Sequence, residues 1–260
     1  MKTIPRTILA LLLPLFLAAC SNSGADSAQY DTQVLFIGNS HTFHNDVPKM
    51  FESMARAGGH SVKTDMVAHG GWTLLEHAQS AETTQKIRSE EWDYVVLQEQ
   101  GDVPSFSSSR EHEMYPAIRG LHNEISARGA ETVLFMTWGH RDGSLAEGVG
   151  GYNAESAVVE NTYVTIGNEL DVAIAPVGVA WWTAMQSNPN LDLWVDDGNH
   201  ATKEGSYLAA SVLYRVILGQ SPGRNSYAAG ISDDWALFFQ TVAAETVSAN
   251  ASRWNLPEVR

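Results

Sequence analysis

Val34-Leu35-Phe36-Ile37-Gly38-Asn39-Ser40-His41-Thr42 is the stretch on which the reading of this chain turns. Four consecutive apolar residues predict a strand buried on both faces, and the run ends abruptly at a glycine followed by polar residues. In an open α/β sheet, ligands bind beyond the carboxyl ends of the strands, so the hydroxyl of Ser40 stands where such folds do their chemistry. A serine in that position can equally cap the helix that follows. The remainder of the chain has to decide between the two.

Outward from this stretch, Asn45 or Asp46 can cap a helix with Val47 and Pro48 in its first turn, ending at Gly58-Gly59. Ser61 to Ala68 reads as a second strand, followed by His69-Gly70-Gly71-Trp72-Thr73, with Thr73 leading a polar helix. Asp93 to Leu97 predicts a third strand, which ends on Gln98-Glu99-Gln100. Buried strands seldom finish in three large polar residues without a use for them. Glu111 to Arg128 predicts a helix stopped by Gly129. Thr132 to Met136 follows as a fourth strand leading to Thr137-Trp138-Gly139-His140, and the glycine-rich run from Gly139 to Gly151 is expected to form a mobile loop beside the site. A helix over Ala154 to Leu170, a fifth strand over Val172 to Val177 and a short helix opening at Trp181-Trp182 come next. Helices over Thr202 to Leu218 and from Ser232 to about Asn250 close the chain. Strands alternating with helices in this way imply parallel βαβ units in a three-layer α/β/α sandwich with about five strands. A flavodoxin-like strand order, 2-1-3-4-5, taken by analogy, sets Ser40 and Gln98 on the two lips of one crevice.

Composition narrows the function. The chain has 260 residues, 44% of them hydrophobic, which suits one sizeable core and a single catalytic domain. With 30 acidic against 16 basic residues its formal charge is -14, and clustered Lys and Arg of the kind that bind phosphate backbones are missing, so nucleic acid is excluded as an expected partner.

A serine hydroxyl is a poor nucleophile until a base takes its proton, and a histidine does this best when a carboxylate fixes its tautomer. Asp197 and His200 stand three apart in a loop just ahead of a helix, a spacing at which one turn brings carboxylate and imidazole together. No Gly-x-Ser-x-Gly is present, so the nucleophile elbow of α/β-hydrolases is not in play. The chain instead resembles the SGNH hydrolases, the GDSL-like esterase and lipase superfamily. Gly38-Asn39-Ser40-His41 is similar to the Gly-Asp-Ser-Leu block, with Asn39 replacing Asp and His41 replacing Leu; Gly70-Gly71 stands where the second block supplies a glycine; and Asp197-Gly198-Asn199-His200 matches the closing Asp-x-x-His. The third block departs from the usual Gly-x-Asn-Asp, because Leu97 is followed by Gln98-Glu99-Gln100, a pattern closer to carbohydrate acetylesterase branches. The resemblance implies a Ser40, Asp197, His200 triad. It also implies an oxyanion hole from the Ser40 amide, the Gly71 amide and the Gln98 side chain, with Gln100 the second choice for that donor. Trp72, Gln100 and Trp138 are the candidates for contacting substrate, and no metal or other cofactor is expected. Trp181 and Trp182 read as core.

The opening residues address the chain. Lys2 and Arg6 give a positive start, Ile8 to Ala19 an apolar run, and Leu17-Ala18-Ala19-Cys20 resembles the lipobox of bacterial lipoproteins. The expectation is a signal peptide over 1–19, a lipid-bearing Cys20, a flexible tether over 20–30 and a hydrolase domain over 31–260, anchored at the bacterial cell envelope. An ester of a carbohydrate is the expected substrate. The rival readings are a lipase or lysophospholipase-type esterase at the membrane, a glycan-binding lipoprotein without turnover, and a metal hydrolase using His41, His44, Asp196, Asp197 and His200.

Overall fold

The computed structural model describes residues 30–143 and 151–257, so the leader, Cys20 and most of the tether lie outside the described residues, as does the middle of the Gly139–Gly151 segment. The elements run β1 (Thr32–Gly38), the single turn α1 (Ser40–Phe43), α2 (Val47–Ala57), β2 (Val62–Ala68), α3 (Leu74–Gln79), α4 (Ala81–Ser89) and β3 (Tyr94–Leu97). After these come the short turn α5 (Ser107–Ser109), α6 (Tyr115–Ser126), β4 (Glu131–Phe135), α7 (Tyr152–Leu170), β5 (Ala173–Ala175), α8 (Val177–Ser187), α9 (Lys203–Leu218) and α10 (Asp233–Ala249).

The strands pair in parallel in the order β2-β1-β3-β4-β5, as the flavodoxin-like analogy anticipates. Val34 to Ile37 are fully buried, and their side chains alternate between two cores. Val34 and Phe36 point into a core shared with α2, α8, α9 and α10, whereas Leu35 and Ile37 point into one built on α3, α6 and α7. Helices thus cover both faces of the sheet and complete the three-layer sandwich.

Local chemistry sets the boundaries. Asp46 caps α2 by accepting a hydrogen bond from the Lys49 amide at 3.2 Å, and Thr73 and Glu76 close a reciprocal capping box on α3. Three expectations need adjusting. The polar helix after Thr73 is two helices, because Ser80 ends α3 and caps α4. The fifth strand stops at Ala175, since Pro176 lacks the amide a ladder needs, and α8 begins at Val177, ahead of the tryptophan pair. Of that pair only Trp181 is core; Trp182 is 40% exposed and borders a cavity of about 290 Å³ between α7 and α8.

The start of α8 lies directly on the end of β4, where the Gly178 amide donates to the Met136 carbonyl at 3.1 Å. A β-carbon at Gly178 would collide with the Thr137 carbonyl. Gly178→Ala should therefore cost about 1–3 kcal/mol and lower Tm by several degrees in a thermal melt. An unchanged Tm would show that this contact relaxes freely.

Candidate active site

The site lies at the carboxyl ends of the central strands. β1 stops at Gly38, where any β-carbon would run into Gln98 Oε1 and Thr42 Oγ1. The next residue organises the turn: the Asn39 amide donates to Gln98 Oε1 (2.8 Å), its Oδ1 accepts from the His41 amide (3.0 Å), and its Nδ2 donates to the Trp72 carbonyl (2.9 Å). Asn39 therefore ties the serine turn to the Gly70-Gly71 loop. The Gly38 carbonyl is held in turn by the buried His77 ring (2.8 Å) and the His69 amide (3.2 Å).

Ser40 opens the turn α1, and its Oγ lies 2.8 Å from His200 Nε2. On the other side of that ring, His200 Nδ1 lies 2.6 Å from Asp197 Oδ2. Asp197 Oδ1 accepts from the Asn199 and His200 amides at 2.8 and 2.9 Å. Against the desolvation that opposes it, the hydrogen bonds from the His200 ring and these two amides hold the Asp197 carboxyl well below the usual carboxylate range. With Asp197 ionised, Nδ1 carries the ring proton and Nε2 is left as an acceptor facing the Ser40 hydroxyl. An imidazole in this state can receive the serine proton during attack on an electrophile. Gly198, at φ +68°, makes the tight turn that brings His200 back onto Asp197, and an antiparallel bridge between Trp194 and Ala201 closes the loop's base.

Gly71 takes a left-handed φ of +76° with open space where a side chain would project. The Ser40 and Gly71 amides have no acceptor among the described residues, so both remain able to donate to a ligand.

Gln98 is placed differently from expectation. It is fully buried under the serine turn, its Oε1 taken by the Asn39 amide and the Thr42 hydroxyl (2.8 Å each) and its Nε2 by the Glu99 carbonyl. Its side chain is a support for the turn and not a free donor. Gln100 stands third beyond the strand end and is half-buried. Its Oε1 caps the next turn through the Asp102 amide (2.8 Å), and its Nε2 donates to Asp102 Oδ2 (3.1 Å). Trp138 also departs from expectation. It is buried, stacked on Trp181 at 4.0 Å, and donates from Nε1 to the Asn199 carbonyl at 2.9 Å, so it props the histidine loop from behind and offers no substrate wall. Trp72 is half-buried against His69 and His77, beside Gly71.

Several residues have parts that the sequence did not assign to them. His41 is buried, its Nε2 lies 3.1 Å from Asn199 Oδ1, and burial pushes its pKa down to about 4, leaving a neutral ring at ordinary pH. Among the described residues no group of three His, Cys, Asp or Glu is arranged to hold a metal ion. Glu99 is buried with Oε1 accepting from the Leu74 amide (3.0 Å) and the Gln100 amide (2.7 Å), which couples the end of β3 to the helix after Gly71. Burial pushes its carboxyl up to about 8. Glu155, also buried, accepts from Ser105 Oγ and the His140 amide at 2.9 Å each and fixes the loop after β4. The only sequence signal for Glu99 was its place in a polar strand end; Glu155 sits on a helix with nothing to mark it.

No family profile and no curated protein matches the chain. Among solved structures it is similar to a protein from Slackia heliotrinireducens provisionally assigned to the SGNH hydrolases, with 25% identity and a TM-score of 0.61 over 72% of this chain and 98% of that one. A protein from Bacteroides uniformis in a family of unknown function aligns at 19% identity and a TM-score of 0.68, over 83% and 94% of the two chains. A variant of an acetyl xylan esterase from Geobacillus stearothermophilus aligns at 14% identity and a TM-score of 0.54, over 73% and 94%. The fold is thus an α/β sandwich resembling that of SGNH hydrolases.

Two measurements test the polar support. Gln98→Ala leaves a buried amide and a buried hydroxyl without their acceptor, so it should cost about 1–3 kcal/mol of stability, seen as a lower denaturation midpoint; a pure oxyanion donor would leave the midpoint unchanged. For Glu99 the folded chain holds a proton that the unfolded chain has lost between pH 4.5 and about 8, so its contribution to stability falls as pH rises through that window. Relative to Glu99→Gln, the wild type should lose stability from about pH 5 to 8; parallel curves would refute the assignment.

Proposed function

We propose that this chain is a serine ester hydrolase of the SGNH type, working through Ser40, His200 and Asp197. The observation that carries the reading is the continuous relay from Ser40 Oγ to His200 Nε2 at 2.8 Å and from His200 Nδ1 to Asp197 at 2.6 Å. In the first step Ser40 Oγ adds to the ester carbonyl carbon as its proton passes to His200 Nε2. The carbonyl π bond becomes an oxyanion, held by the free amides of Ser40 and Gly71. Collapse of this intermediate expels the alkoxide, which takes the proton from His200 and leaves as the alcohol. Water, deprotonated by His200, then adds to the acyl-serine, and collapse returns the proton to Ser40 and releases the acid.

A carbohydrate acetyl ester is the proposed substrate. Supporting this are Trp72 beside the Gly71 loop and the likeness in fold to an acetyl xylan esterase. Trp72 and Gln100 are the proposed substrate contacts. The proposed address is the bacterial cell envelope, with the domain tethered through lipid on Cys20.

Ser40→Ala should lower kcat by roughly a million-fold, the scale of a triad serine, with the fold intact by circular dichroism. Retained turnover on a chromogenic acetate ester would break the assignment. Across a panel of esters with one leaving group, acetyl should outpace octanoyl; the opposite order would favour a lipase-type enzyme, and binding of acetylated glycans without turnover a glycan-binding protein.

A further inference from the structure

One arginine grips the loop that carries Asp197 and His200 on both sides of the carboxylate. Arg141 lies on the segment after β4, far in sequence from the residues it touches. Its Nη2 donates to the Trp194 carbonyl (3.1 Å) and the Val195 carbonyl (2.8 Å), and pairs with Asp192 Oδ2 (3.0 Å). Its backbone amide donates to the Gly198 carbonyl at 2.9 Å. These contacts grip the chain on both sides of Asp197: two residues before it, three before it, and at the next residue after it.

We propose that Arg141 is a positioning residue which fixes the Asp197 carboxylate against the His200 ring. The need for such a residue follows from the loop itself. The Asp197 side chain is 48% exposed, so packing does not hold it, and Gly198 beside it sits in the left-handed region where backbone freedom is greatest. The two tryptophan clips, Trp138 Nε1 to the Asn199 carbonyl (2.9 Å) and Trp194 Nε1 to the Gly139 carbonyl (3.1 Å), hold the ends of the loop. Neither reaches the stretch from Val195 to Gly198. Arg141 is also more than a surface charge, because among the described residues its buried Nε has no acceptor, a cost that the fold tolerates for the bonds made at the tip of the guanidinium. A lysine carries the same charge on a shorter, flexible stem and not on a rigid planar group.

The inference rests on the proposed pairing of His200 with Asp197, and the test separates the two. One-dimensional proton NMR should show a low-field resonance from His200 Nδ1–H bonded to Asp197 in the wild type and in Ser40→Ala, whether or not any ester is turned over. Arg141→Ala should broaden or remove that resonance. On an acetate ester it should lower kcat by about a hundredfold, the scale of a misplacement of the order of an ångström in a reacting group, with KM essentially unchanged. Arg141→Lys, which keeps the charge and the pairing with Asp192, should fall between the two and serves if the alanine variant does not fold. In the Asp197→Asn background Arg141→Ala should cost almost nothing further, since its effect passes through that carboxylate. A resonance and a kcat that survive in Arg141→Ala with only Tm reduced would overturn the proposal, as would losses that simply multiply in the double variant. Absence of ester turnover in the wild type with the resonance still dependent on Arg141 would sink the esterase reading and leave the positioning role standing.

Discussion

Burial of β1 on both faces constrains everything else in this molecule. Val34 to Ile37 are all at zero exposure, and four such side chains are together worth roughly 6–12 kcal/mol relative to leaving them in water. That is as large as the whole net stability of an ordinary domain, so no fold of this chain can leave either face of the strand open to water. Parallel neighbours on both sides and helices on both faces are what meet the requirement, and parallel neighbours demand long crossovers. The crossover to β2 goes to one side of β1 and the connection to β3 to the other. At the carboxyl end of β1 the two connections part and leave a crevice, and Ser40 stands in it.

The same geometry imposes a polar cost. Where β1 and β3 end inside the protein, backbone amides and carbonyls lose their ladder partners and are too deep for water. Long side chains supply what the ladder no longer can: Gln98 for the Asn39 amide, Glu99 for the Leu74 and Gln100 amides, and His77 for the Gly38 carbonyl. This accounts for the three large polar residues at the end of a buried strand. Their use lies in holding the two loops that carry Ser40 and Gly71 at a fixed separation, which is what a preformed pair of amide donors needs.

The legible part of the fold was the part written in local pattern. A two-sided apolar run, helices of amphipathic period and an Asp-x-x-His ahead of a helix are properties of neighbours in sequence, and they point to the parallel sheet; its strand order came by analogy, and the choice of Ser40, Asp197 and His200, which the structure joins, from the resemblance of three sequence blocks. Gln98 was misplaced because an amide donor in a crevice and an amide packed beneath a turn look alike in sequence; only the register of β1 against β3 shows that its oxygen meets the Asn39 amide. Trp138 was misplaced for a similar reason, since its stacking on Trp181 depends on where α8 crosses the end of β4. Arg141 and Glu155 carry no local signal at all, as their partners lie 53 and 54 residues away for the one, and 15 and 50 for the other.

His41 shows how a histidine can stand beside another without adding charge. Its ring centroid lies 5.7 Å from that of His200. Were it charged, it would oppose a positive His200 by about 3 kcal/mol at an effective dielectric of about 20, enough to slow any step that protonates His200 by about two orders of magnitude. Burial pushes its pKa down to about 4, so near neutral pH the ring is uncharged and opposes nothing. The buried ring thus adds no charge beside His200. It makes one hydrogen bond, to Asn199 Oδ1, and through it the residue next to Ser40 reaches the loop that carries His200.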